Sequence, residues 1–212
     1  RQMCIRDRAG IIAVGLDEGD VLVGAALTDG KHDVMLFSDG GKAVRFDEED
    51  VRPMGRSARG VRGMMLEEGQ SVIAMLVAED ETQSVLTATE NGYGKRTSIV
   101  EYTRHGRGTK GMIAIQQSER NGKVVAATLV RPEDEIMLIT DKGVLVRTRV
   151  SEIRELGRAT QGVTLISLDE GAKLIGLQRI VENDANSSEG SESGETDGEA
   201  GENAGTDGGT ES

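Results

Sequence analysis

One stretch occurs three times in this chain at a fixed step. It reads Gly55-Arg56-Ser57-Ala58-Arg59-Gly60, then Gly106-Arg107-Gly108-Thr109-Lys110-Gly111, then Gly157-Arg158-Ala159-Thr160-Gln161-Gly162, each copy 51 residues after the last. Gly41, Gly92 and Gly143 keep the same step, as do Arg45, Arg96 and Arg147. A period of about 50 residues marks a propeller or a repeat array, so the repeat governs how every single motif is read.

Each repeat divides into four short apolar runs separated by turn residues, which is strand patterning. The first gives Val34–Ser38, Ala43–Phe46, Val61–Leu66 and Val72–Val77. The second gives Ser84–Thr89, Gly94–Ile99, Met112–Gln117 and Val124–Val130, and the third Glu135–Thr140, Val144–Val150, Val163–Ser167 and Leu174–Ile180. First strands such as Ile136-Met137-Leu138-Ile139 are apolar throughout, as for strands covered on both faces. Second strands alternate, with Val144, Val146 and Thr148 facing one way and Leu145, Arg147 and Arg149 the other. The expected fold is all-β, a propeller of four-stranded blades, with only a short helical turn at 151–154. Blades are expected at 31–80, 81–131 and 132–181, and residues 9–30 match the last half of an earlier repeat.

Arg1–Arg8 match nothing in the repeat and are expected to be foreign to it. At the other end, residues 182–212 carry ten Asp/Glu, no Lys or Arg and no large apolar side chain, and are expected to be disordered. They also explain the net charge of −12, because the 1–181 body holds 27 acidic and 25 basic residues. Cys4 is the only cysteine, which excludes a disulfide framework and fits a reducing cytosol. No apolar run reaches membrane-spanning length. With 29 glycines and no tryptophan, the chain fits many tight turns and not a tryptophan-marked WD-repeat propeller.

No constellation for catalysis survives inspection. The 106–111 loop has the form G-x-G-x-x-G, but a dinucleotide site needs a helix after it, and strand residues follow here. Asp47-Glu48-Glu49-Asp50 lacks the glycine and spacing of a calcium loop. His32 and His105 have no second ligand at metal spacing, and Tyr93 and Tyr102 read as packing or surface contacts. The Gly-Arg loops remain. Cations repeated once per blade form a basic track suited to a polyanion's backbone, since each phosphate contact releases counterions irrespective of sequence. With so few aromatics for stacking, single-stranded nucleic acid is a poor match.

Residues Thr87–Thr97 (TATENGYGKRT) and Ile139–Ile153 (ITDKGVLVRTRVSEI) resemble the fifth and sixth blades of the C-terminal domain of the DNA gyrase A subunit family. The resemblance covers about 9–181 and implies a six-bladed β-pinwheel whose neighbouring blades exchange a strand and around whose perimeter duplex DNA wraps. The present chain would supply the end of blade three, blades four to six and an acidic tail. The family's Q-R-R-G-G-K-G box is absent. Met54–Gly60, His105–Gly111 and Leu156–Gly162 stand in its place, keeping its second Arg and last Gly, while its Lys position reads Arg59, Lys110 and Gln161. As partners the resemblance implies the remainder of the A subunit together with the B subunit, in an A2B2 complex. It places ATP and Mg2+ elsewhere in the enzyme, with no cofactor here. A topoisomerase IV domain is the near alternative. From another class, a protein-interaction scaffold would use these arginines for inter-blade ion pairs.

The candidate DNA ligands are Arg45, Arg52, Arg56, Arg59, Arg62, Lys95, Arg96, Arg104, Arg107, Lys110, Arg147, Arg149, Arg154 and Arg158. Gly55, Gly60, Gly106, Gly111, Gly157 and Gly162 are the expected structural turns, with Gly55, Gly106 and Gly157 expected in the left-handed region that favours glycine.

Overall fold

Antiparallel pairing of the first, second and fourth runs of each repeat builds one sheet per repeat. The computed structural model describes residues 11–180; the expectations for 1–8 and 182–212 lie outside them. β1 (Asp33–Ser38), β2 (Lys42–Asp47) and β3 (Val72–Ala78) make the first sheet. β4 (Ser84–Thr89), β5 (Tyr93–Ser98), β6 (Met112–Ile113) and β7 (Val124–Val130) follow. The last are β8 (Glu135–Thr140), β9 (Leu145–Arg149), β10 (Val163–Thr164) and β11 (Leu174–Ile180). Gly41, Gly92 and Gly143 turn each first strand into the second with φ of +73°, +79° and +78°, a conformation open to glycine without steric cost.

The third strand does not stay in its own sheet. β6 crosses to β2, pairing Ala43 with Met112, and β10 crosses to β5, pairing Gly94 with Val163. The sheet orders are therefore β3-β1-β2-β6, β10-β5-β4-β7 and β11-β8-β9. This exchange explains two departures from the strand pattern. Third strands shrink to two residues because only the start of each run meets its neighbour. Val61–Leu66 forms no strand, since no second strand of a preceding repeat is present among the described residues; only Met64 bridges, in parallel, to Thr109. Residues 11–30 carry no strand either, because neither a preceding second strand for their third run nor a first strand for their fourth run is present among the described residues.

The cores also span blades. Met35 and Phe37 of the first sheet pack with Val85, Ile99 and Tyr102 of the second repeat, with Phe37 and Tyr102 edge to face at 6.0 Å. Leu86 and Ala88 pack in turn with Ile136, Leu138, Val150 and Ile153. Ile99 and Val150 enter these cores from short 3-10 turns, Ile99–Glu101 and Val150–Glu152. Burial of such side chains stabilises by about 1.5–3 kcal/mol each, so adjacent blades fold as coupled neighbours.

Candidate nucleic-acid interface

Each Gly-Arg loop closes on a left-handed glycine. Gly60, Gly111 and Gly162 have φ of +85°, +73° and +81°. A Cβ on Gly111 would lie 2.4 Å from the Ala43 carbonyl oxygen, and one on Gly162 2.6 Å from that of Gly94. The second and third loops thus return hard against the preceding blade's second strand. The opening glycines do not behave as expected. Gly55, Gly106 and Gly157 lie outside the left-handed region, because the chain leaves the preceding 3-10 turn in extended form and turns left-handed later, at the closing glycine and, in the second loop, at Gly108 as well.

The arginine column separates into structural and exposed members. Arg45 is buried: its Nε donates to Asp33 at 2.6 Å, and its Nη1 donates to the carbonyls of Ile99 and Tyr102 in the next repeat. Arg96 is covered too, 3.5 Å from Glu155 of the next repeat. Arg147 pairs with Glu135. Side-chain exposure climbs from 7% to 14% to 52% along the column. The fold's reason is simple: the next repeat covers the first two positions, and no further sheet among the described residues covers the third. The basic-track expectation places Arg45 and Arg96 on the DNA face; they instead tie blades together.

Lys95 is a second correction. It is wholly buried in β5, and its Nζ donates to the carbonyls of Gly157 and Arg158. Burial pushes its ammonium down to about 8, against the pull of Glu101 and with the help of Arg158. Its neighbour Thr97 donates to the Leu156 carbonyl at 2.8 Å. Arg107 and Arg158, one repeat apart, make the same clamp: their Nη1 atoms donate to the carbonyls of Arg62 and Ile113, at 3.3 and 3.0 Å. Arg104 spans Asp33 and Asp47.

The cations left facing solvent sit on the loops. Arg52, Arg56, Arg62, Lys110 and Arg154 lie outside the core, with no side-chain hydrogen bond or ion pair to any described residue. Arg59 reaches Asp17 while remaining mostly exposed, and Arg149 lies 3.8 Å from Glu135. The first loop and its flanks therefore hold the densest outward charge, while the later loops divert cations into clamps. No catalytic geometry joins these groups among the described residues.

Some pairings were not visible in sequence. The Arg120 guanidinium lies 4.6 Å from the centre of the Tyr93 ring. Lys123 pairs with Asp39 and Lys173 with Glu90, each reaching the turn of the preceding blade; an acid at one repeat position and a lysine at another is the signal that could have found them. Asp29, His32 and Glu48 bring one ligand atom each within 4.8 Å of one another, which their sequence spacing conceals. After the glycine-rich 106–111 loop comes β6, not a helix, so no dinucleotide cradle forms.

Known proteins share this architecture. The DNA gyrase C-terminal domain, beta-propeller, matches as a family model over residues 6–29, 32–79, 83–131 and 134–180. The chain is 53% identical over 188 residues to the DNA gyrase A subunit of Pseudomonas aeruginosa, covering 87% of the chain and 20% of that protein. Against the DNA gyrase A subunit of Escherichia coli K12 it is 51% identical over 187 residues, 86% and 21% respectively. The chain thus spans about a fifth of these relatives. A solved DNA gyrase A C-terminal domain superposes with a TM-score of 0.75 at 29% identity, over 82% of this chain and 59% of that one. The C-terminal domain of a DNA topoisomerase IV gives 0.76 at 26%, over 79% and 52%.

Proposed function

Because this chain belongs to the C-terminal domain family of the DNA gyrase A subunit, we propose that its loops bind the backbone of duplex DNA and help wrap it for negative supercoiling. The observation that carries this reading is a series of outward cations in and beside the loops without a partner among the described residues: Arg52, Arg56 and Arg62, then Lys110, then Arg154. Such charges neutralise phosphates without reading bases. In this reading the chain works in the cytoplasm, within the A subunit of an A2B2 type II topoisomerase. It bends a DNA segment and sets the handedness of the crossing, while strand cleavage and ATP and Mg2+ chemistry take place elsewhere in the complex. The high identity to gyrase A relatives favours gyrase over topoisomerase IV.

The test is anisotropy of labelled duplexes of unrelated sequence across a salt series. Binding is expected to be weak, indifferent to sequence and steeply salt-dependent. Changing Arg52, Arg56 and Arg62 together to Gln reduces the log–log salt slope by about 0.9 for every phosphate no longer neutralised. Salt-insensitive binding, or none at low salt, would leave the scaffold reading in its place.

A further inference from the structure

The three loops are not equally charged on their surface. The position that holds Arg59 in the first loop and Lys110 in the second holds neutral Gln161 in the third. Beneath that third loop lies a buried lysine at a position that is otherwise valine. The residue one repeat before Lys95 is Val44, and one repeat after it is Val146. Under the second loop, Val44 leaves a cleft of about 320 Å³ lined by His105, Gly106, Thr109, Lys110 and Gly111. Under the third loop, Lys95 reaches up from β5 into the tip and takes the Gly157 and Arg158 carbonyls.

The surroundings hold the Lys95 ammonium in one place. The loop's outgoing arm is fastened to β5 by Leu156 N–H to the Arg96 carbonyl at 2.8 Å and by Thr97 to the Leu156 carbonyl. Its returning arm pairs as β10, where Gly162 abuts Gly94. The ammonium sits between these arms, and both carbonyls point inward to it. A buried charge is screened less by salt than an exposed one, and its potential reaches the loop tip against that of Glu101, whose carboxylate accepts from the Arg158 N–H at 3.0 Å.

We propose that Lys95 stands in for the cation missing at position 161, fixing the loop tip and supplying positive charge to bound DNA from beneath. The proposal rests on the duplex-DNA reading of the loops and deepens it. Lys95 is a positioning residue, acting through Gly157 and Arg158, and it touches no phosphate.

The experiment uses the whole chain and three variants: Lys95→Met, Lys95→Gln and Lys95→Met with Gln161→Lys. Duplex affinity is read at low and high salt, together with hydrogen exchange of the 157–162 amides. Lys95→Met is expected to lose roughly fivefold in affinity at low salt, with faster exchange at 157–162. Lys95→Gln keeps a donor without the charge, so exchange stays slow while affinity still falls. The double variant, with a cation restored on the surface, returns to within about twofold of wild type at low salt. Wild-type affinity in Lys95→Gln, or a double variant as weak as Lys95→Met, would overturn the proposal while leaving the DNA reading intact. Absence of wild-type binding at low salt would refute both.

Discussion

Three glycine-to-alanine changes in the same motif should have three different costs. At Gly60, φ is +85° and a Cβ would meet nothing within 4 Å. Only backbone strain remains, about 1 kcal/mol. At Gly111 the strain is similar, with φ at +73°, but the Cβ would also lie 2.4 Å from the Ala43 oxygen and 2.9 Å from its carbon. These are backbone atoms of β2, so no rotamer change relieves them. Either the loop or β2 must move, and the Ala43–Met112 pairing lies directly in that path. Overpacking of this kind adds about 1–3 kcal/mol, for a total of about 3 kcal/mol. Gly106 is open and lies outside the left-handed region, so alanine there should be neutral or stabilise by up to about 1 kcal/mol through the unfolded chain. Urea unfolding followed by far-ultraviolet circular dichroism reads the series without tryptophan. With a slope of about 2 kcal/mol per molar, Gly111→Ala shifts the midpoint down by about 1 M more than Gly60→Ala. Equal costs at Gly60 and Gly111 would show that strand exchange does not press the loop against β2, and the reasoning fails.

The buried charges and the acidic segment lead to further expectations. Arg45→Met leaves Asp33 with only Arg104 and should cost about 3 kcal/mol, whereas Arg147→Met, at the exposed end of the same column, should cost under about 1 kcal/mol in the same urea titration; equal losses would contradict the coverage argument. Lys95 is depressed to about 8 in the fold and unfolds to an ordinary lysine. The burial penalty is therefore present below pH 8 and relieved as the folded state deprotonates first, so stability relative to Lys95→Met should rise between pH 8 and about 10.5, by up to about 1.4 kcal/mol per pH unit. Parallel pH profiles for the two proteins, with Glu101 and Arg158 intact, would rule this out. Removing residues 182–212, with their ten uncompensated carboxylates, should tighten duplex binding at low salt, with the gap closing as salt rises; equal affinities at low salt would leave that segment without a competing role.

Much of the fold was legible because the repeat fixes it. Val124–Val130 and the turn glycines Gly41, Gly92 and Gly143 follow from period and residue type alone. The site was less legible, because sequence periodicity equates positions whose surroundings differ. Arg45, Arg96 and Arg147 are one letter at one step, yet coverage by the next repeat buries the first, mostly covers the second and leaves the third half exposed. Lys95 looks like any strand lysine until the fold brings Gly157 and Arg158 over it, more than 60 positions along the chain. Reading the opening glycine of each loop as left-handed fails for the same reason: a composition of Gly-Arg-x-x-x-Gly does not say where the turn reverses, and the contact with Ala43 or Gly94 does.

Strand exchange also decides where mechanical load goes. A pull on the tip of the 106–111 loop reaches β5 through the covalent chain on one side and β2 through the Lys42–Ile113 and Ala43–Met112 pairs on the other. The 157–162 loop likewise divides tension between its own sheet and β5. Neither loop can be drawn outward without straining two sheets at once, and the lysine links Lys123–Asp39 and Lys173–Glu90 add a second crossing strut at each seam. A stiff polymer trying to straighten against these loops would therefore meet a linked series of springs, with strain passed from one sheet to the next instead of concentrating in one.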